Sequence, residues 1–135
     1  MREDEAYLRV AQRYLESCEQ HISHNINIQE VIGFKAYHSF ESIGGALCSH
    51  RGYRVPRSHV RKLNAFVATA NNSPNINYRI IAILAMTLSS MRNKYLYPEN
   101  TGTTFDLPEN QISISDARRL VRRIRGIIRQ IEQII

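Results

Sequence analysis

The 135-residue chain lacks most of the patterns that announce a chemistry. It has two cysteines, Cys18 and Cys48, with no CxxC spacing and no clustered histidines around them. That leaves no disulfide framework and no zinc-finger ligand set, and both residues read as small buried thiols. No metal and no cofactor is expected. A GxxxxGK[ST] loop, a GxGxxG turn, an HExxH helix and a paired-carboxylate arrangement are all missing, so the usual residues for P-loop hydrolysis, dinucleotide binding and zinc proteolysis are not there. Gly44-Gly45 falls within a helical pattern and is no phosphate cradle. No apolar run approaches the ~20 residues of a membrane span. Met1-Arg2-Glu3-Asp4-Glu5 is not a signal peptide. The expectation is a cytoplasmic protein with no membrane partner. Strand-like alternation, internal repeats and low-complexity tracts are also absent.

Carboxylates are outnumbered, 12 against 18 lysines and arginines, for a formal net charge of +6. This balance permits an anionic partner such as RNA without demanding one. With 43% hydrophobic residues, residues 1–135 are expected to form a single domain with a real core.

What the sequence does have is 3.6-residue periodicity. Tyr7, Leu8, Ala11, Tyr14, Leu15, Cys18 and Ile22 mark a helix over about 3–22. A second runs from about Ile28 to Ser49, interrupted by Gly33, Gly44 and Gly45, which suggests close approach to other helices. Ser58 fits the cap of a short third helix whose apolar face is Val60, Leu63, Phe66 and Val67. Ser73 and Pro74 fit the cap and first position of a fourth, which ends near Leu96 because Pro98 pushes the preceding residue out of the helical region. Its run Ile80–Leu88 is apolar enough to belong in the middle of a bundle. Residues 98–114 read as irregular. Ser115 and Asp116 open a last helix with Leu120, Ile124, Ile128 and Ile131 inside and an arginine face outside. Its isoleucine stripe reads as core and not as a membrane-surface face. Ile127 and Ile134 exceed a single stripe and suggest a partner surface, a homodimer being the default. The expected fold is all-α, an up-and-down bundle of four long helices and one short one.

The candidate site closes the fourth helix. Arg92, Asn93 and Tyr97 stand at spacings that reach one side of a helical turn. Arginine keeps its charge and suits phosphate oxyanions. The structural alternative is that Arg92 pairs with a carboxylate such as Glu41 while the tyrosines cap the helix. Arg51, Arg54, Arg57, Arg61 and Lys62 form a second basic group, read either as an RNA-backbone contact or as a solvated face. The histidines His21, His24, His38, His50 and His59 all lie in the first half.

In order and spacing, several segments resemble the HEPN superfamily of small helical-bundle proteins. They are Phe34–Glu41, Val55–Leu63, Arg92–Pro98 and Ile114–Ala117, and the resemblance covers roughly residues 5–133. It implies a homodimer with a composite site, and a component of a prokaryotic toxin–antitoxin or defence module acting on RNA as a metal-independent ribonuclease. The implied mechanism is attack of the RNA 2′-hydroxyl on its own phosphate, with arginine stabilising charge and histidine moving protons. Here Arg92 and Asn93 match the motif, but Tyr97 stands where that histidine would be. With a pKa of about 10 against about 6.5, a phenol is a poor base at neutral pH, so activity is expected to be weak or absent. His38 or His59 could supply the imidazole from elsewhere. The alternative function is a non-catalytic binding or assembly partner of a small nucleotidyltransferase or another defence protein.

Overall fold

The computed structural model describes residues 1–135. Five α-helices run in chain order: α1 Glu3–Ser23, α2 Gln29–His50, α3 His59–Asn71, α4 Tyr78–Leu96 and α5 Ile114–Glu132. The all-α expectation holds, with four long helices and the shorter α3. Between α4 and α5 lie a minimal antiparallel hairpin, β1 Glu99–Asn100 with β2 Phe105–Asp106, and a 3-10 turn at Pro108–Asn110. The sequence reading missed this hairpin. It is made by its turn: the Asn100 side chain accepts from the Gly102 N–H, and Gly102 takes φ +95°, a conformation natural to glycine.

Two helix starts differ from expectation. Helix α4 begins at Tyr78, capped by Asn77, whose Oδ1 accepts from the Ile80 N–H at 3.3 Å. Ser73 instead finishes α3, its hydroxyl donating to the Thr69 carbonyl at 2.8 Å. Helix α5 is capped by Ser113, not Ser115, through a 3.0 Å bond from the Asp116 N–H. The Ser58 cap of α3 is as expected, accepting from the Arg61 N–H.

The most apolar run does not mark the central helix. That place belongs to α2, which buries residues on all its faces, from Ile32, Tyr37 and Phe40 to Leu47. Three glycines let neighbours reach its backbone. A Cβ on Gly33 would meet the Tyr95 ring of α4 at 3.0 Å. One on Gly44 would meet the Phe66 ring of α3 at 2.6 Å, and one on Gly45 the Tyr7 ring of α1 at 2.9 Å. Helix α4 turns only Ile81, Leu84, Ala85, Leu88 and Tyr95 fully inward. Its outer face keeps Ile83 56% and Met86 73% exposed.

Helix α5 reverses another expectation. Ile127 is 2% exposed and belongs to this chain's own core, and Ile134 packs against that core. The surplus isoleucines are therefore not a partner surface. An apolar groove instead opens between α3 and α4, lined by Val60, Leu63, Val67, Ala85 and Met86. The arginine face of α5 does point outward, apart from Arg125, which is half-buried and paired with Glu19 at 2.6 Å.

Candidate functional site

Two helices, α2 and α3, converge on one carboxylate. Tyr37 and Glu41 are four residues apart on α2 and so share a face, and the Tyr37 hydroxyl donates to Glu41 Oε2 at 2.7 Å. Because Ser58 caps α3, His59 is its first helical residue and Lys62 lies one turn on, on the same side. His59 Nδ1 is 2.7 Å from the same Oε2, and Lys62 Nζ donates to Oε1 at 3.2 Å. Glu41 is buried, and burial alone would push its carboxyl up. The hydrogen bonds from Tyr37 and His59 and the Lys62 charge more than reverse this, leaving it below the usual carboxylate value. It is thus a carboxylate at neutral pH. A carboxylate at 2.7 Å fixes the proton of a neutral His59 on Nδ1 and leaves Nε2 as the free lone pair. Nε2 has no protein partner.

Arg92 does not join this ion cluster, so the pairing with Glu41 considered from the sequence is not formed. Its guanidinium carbon sits 5.7 Å from the centroid of the Tyr37 ring, and Nη1 donates to Asn93 Oδ1 at 3.3 Å. Its Nε is buried with no hydrogen-bond partner, alone in this respect among the buried side-chain polar atoms. A buried donor left unmade costs about 1–3 kcal/mol, a penalty that any acceptor reaching Nε would relieve. Arg92, Asn93, His59, Tyr37, Ser58, Val60 and Ser89 line one open cavity of about 270 Å³.

Tyr97 is not among those lining residues and is 61% exposed. The expected alignment with Asn93 assumes a helical residue 97. Ahead of Pro98 the chain is instead extended there, with φ −130° and ψ 145°, which swings the side chain off the final turn. Of the two further histidines considered, His59 faces the cavity. His38 is packed behind it, among the rings of Tyr14, Phe34 and Tyr37, with its centroid 6.4 Å from that of His59. Burial lowers the His38 pKa. Glu41 pulls it up, while the charges of Arg92, His59 and Lys62 press it further down, so it is neutral at pH 7. Burial and the Glu41 hydrogen bond raise Tyr37 well above its ordinary value, which keeps it a hydroxyl donor.

The basic group divides. Arg54, Arg57 and Arg61 line a cavity of about 510 Å³ that shares Ser58 with the Arg92 cavity. Lys62 is engaged with Glu41, and Arg51 caps the end of α2 away from both. None of Arg51, Arg54, Arg57 and Arg61 forms an ion pair. Three arginines around the positive end of α3, whose first turn holds no acidic residue, make a strongly electropositive rim. No three His, Cys, Asp or Glu side chains converge as metal ligands would.

No protein-family model and no curated protein matches the chain. Among solved structures, that of an archaeal HEPN homologue is similar, with a TM-score of 0.66 and 18% identity over 98% of each chain. The likeness spans all five helices and defines the fold as HEPN-like. No helix is long and apolar enough to cross a membrane.

Proposed function

We propose that the chain binds RNA and cleaves it without a metal ion, as the effector of a toxin–antitoxin or defence module, with His59 in the part that Tyr97 cannot play. The observation that carries this reading is that Arg92, whose Nε is buried and unpartnered, lines the same open cavity as a Glu41-oriented His59. In this mechanism His59 Nε2 takes the proton of a 2′-hydroxyl, and that oxygen attacks the adjacent phosphorus. Arg92, with the Asn93 amide, holds the non-bridging oxygens as charge builds on them. The P–O5′ bond breaks, and the proton held by His59 passes to the departing 5′-oxygen, leaving a 2′,3′-cyclic phosphate and a 5′-hydroxyl. Glu41 keeps the imidazole in the required tautomer, and Arg54, Arg57 and Arg61 hold the neighbouring phosphates.

The test is incubation of purified protein with RNA in excess chelator. Cleavage with cyclic-phosphate ends is expected, falling at least about 100-fold in Arg92→Ala. Cleavage that survives Arg92→Ala puts the chemistry elsewhere. Binding without any cleavage favours the assembly reading, in which the chain docks a partner such as a nucleotidyltransferase.

A homodimer completes the proposal. Val60, 61% exposed, adjoins the Arg92 cavity and, with Leu63, Val67, Ala85 and Met86, lines an apolar groove between α3 and α4. Pairing two such grooves would bring two Arg92 cavities towards each other. Light scattering should then give twice the 15.6 kDa chain mass, and Met86→Glu should return it to one.

A further inference from the structure

Along α1, with Lys35 of α2 at its edge, runs an open groove of about 630 Å³. Arg9, Val10, Arg13, Tyr14, Ser17 and Lys35 line it. We propose that this groove is a second RNA-backbone site, taking phosphates of the strand as it leaves the Arg92 cavity. The inference rests on the RNA reading above and adds a site to it.

Three cations face this groove almost without compensation. Arg9 has no ion pair, and Arg13 touches only Glu16, at 3.8 Å with both side chains exposed, a contact that neutralises little. Arg9 and Arg13 stand four residues apart on α1, where like charges repel. Lys35 is held in place by neutral groups alone. Its Nζ lies 2.8 Å from Ser17 Oγ and 2.8 Å from His21 Nε2. Burial and the Lys35 charge both lower the His21 pKa, so this ring accepts a hydrogen bond and adds no charge. An ammonium has three hydrogens, and two partners leave one for a ligand.

The wall of the groove connects it to the reaction site. The Tyr14 ring stacks on His38 with centroids 5.3 Å apart, and His38 meets His59 edge to face. Two ring contacts therefore separate the groove from the proposed base. A positive groove with an aromatic wall is what an unpaired strand requires, since phosphates meet the cations and a base can lie on the ring. That continuity favours RNA over an acidic peptide as the occupant.

The test uses the whole protein and a fluorescent 2′-O-methyl oligouridine, which binds but cannot be cut. Arg9→Ala/Arg13→Ala is suited to it, because both side chains are exposed and alanine is the better helix former. Anisotropy is followed across a salt series. Two lost phosphate contacts on a single strand should weaken binding and flatten the slope of log affinity against log salt by about 1.4. Cleavage of a dinucleotide, too short to reach the groove, should not change. An unchanged slope overturns the groove and leaves the Arg92 reading standing. A wild type that binds no RNA overturns both. Arg92→Ala that loses cleavage and flattens the slope by only about 0.7, one phosphate contact, supports both. Loss of polyglutamate binding in the double variant, with RNA binding intact, assigns the groove to an acidic protein and overturns the proposal.

Discussion

Two buried carboxylates in this bundle each hold a histidine, and they are built for different ends. Asp4, in the first turn of α1, lies 2.9 Å from His50 Nδ1 in the last turn of α2, with Arg2 across it at 3.1 Å. Glu41 lies 2.7 Å from His59 Nδ1, with Lys62 and Tyr37 beside it. Bond lengths alone do not separate them. The first pair ties the start of α1 to the end of α2, and neither Asp4 nor His50 lines the Arg92 cavity, the Arg54 cavity or the α1 groove. The second stands at the wall of an open cavity next to a buried guanidinium nitrogen with no partner. A carboxylate–imidazole pair is therefore a latch by default. It becomes a candidate site when an unsatisfied charge and open space adjoin it.

Exchanging the two imidazoles is the harshest way to break the comparison. His59→Asn should reduce RNA cleavage by about 100- to 10,000-fold, the range for removing a general acid–base. His50→Asn should leave the rate within about twofold, and equal losses in the two variants would erase the distinction. A stability contrast is the next largest effect. Glu41→Ala strands Tyr37, His59 and Lys62 in a half-buried setting and should cost about 3 kcal/mol in urea unfolding. Asp4→Ala should shift the midpoint less, because Arg2 is exposed and keeps Glu5 as a partner, so His50 alone is stranded.

Acid sharpens the contrast from another side. Asp4 is held below the usual carboxylate value chiefly by the His50 hydrogen bond, against an opposing effect of burial, and Glu41 is lowered by its own three donors. A depressed folded pKa means stability that is present above about pH 4 and lost as pH falls through the lower folded values. His21 and His38 are also depressed, and being bases they destabilise the fold earlier, as pH falls below about 6.5 and the unfolded chain takes up protons first. Unfolding midpoints should therefore decline in two stages, and Glu41→Gln should flatten the lower one. The smallest effect is expected at Tyr97. Tyr97→Phe should leave cleavage unchanged within about twofold, and a loss beyond tenfold would return that phenol to the chemistry.

How much of this the sequence carried depends on range. Helix existence and the Ser58 cap follow from local periodicity and local hydrogen bonding, so they are legible. Ser73 and Ser115 satisfy the same local rules and are still not the caps. Ser73 is drawn to the Thr69 carbonyl, and Asn75, at φ +65°, turns the chain before α4 starts. Ser113 caps α5 between Ile112 and Ile114, both packed against the core. Arg92 and Asn93 stand out because an arginine closing an apolar helix is conspicuous in one dimension. The Glu41–His59 bond joins α2 to α3, and no spacing rule encodes it. From the sequence Glu41 stands out only as a partner for Arg92, and His59 only beside His38 as an imidazole from elsewhere.

The glycine contacts on α2 bear on how such a site could work. Gly33 sets the position of α4, Gly44 that of α3 and Gly45 that of α1, each against a ring that an added carbon would crowd, most severely at Gly44. Glu41, the His59–Lys62 turn and the Arg92–Asn93 turn are thereby indexed to a single helix, as teeth to a rack. Their relative positions are settled when the chain folds, so little conformational entropy remains to be lost when a substrate arrives. The adjustment on binding must then come from the flexible strand, and temperature should alter the protein's grip on it far less than a site assembled from loops would allow.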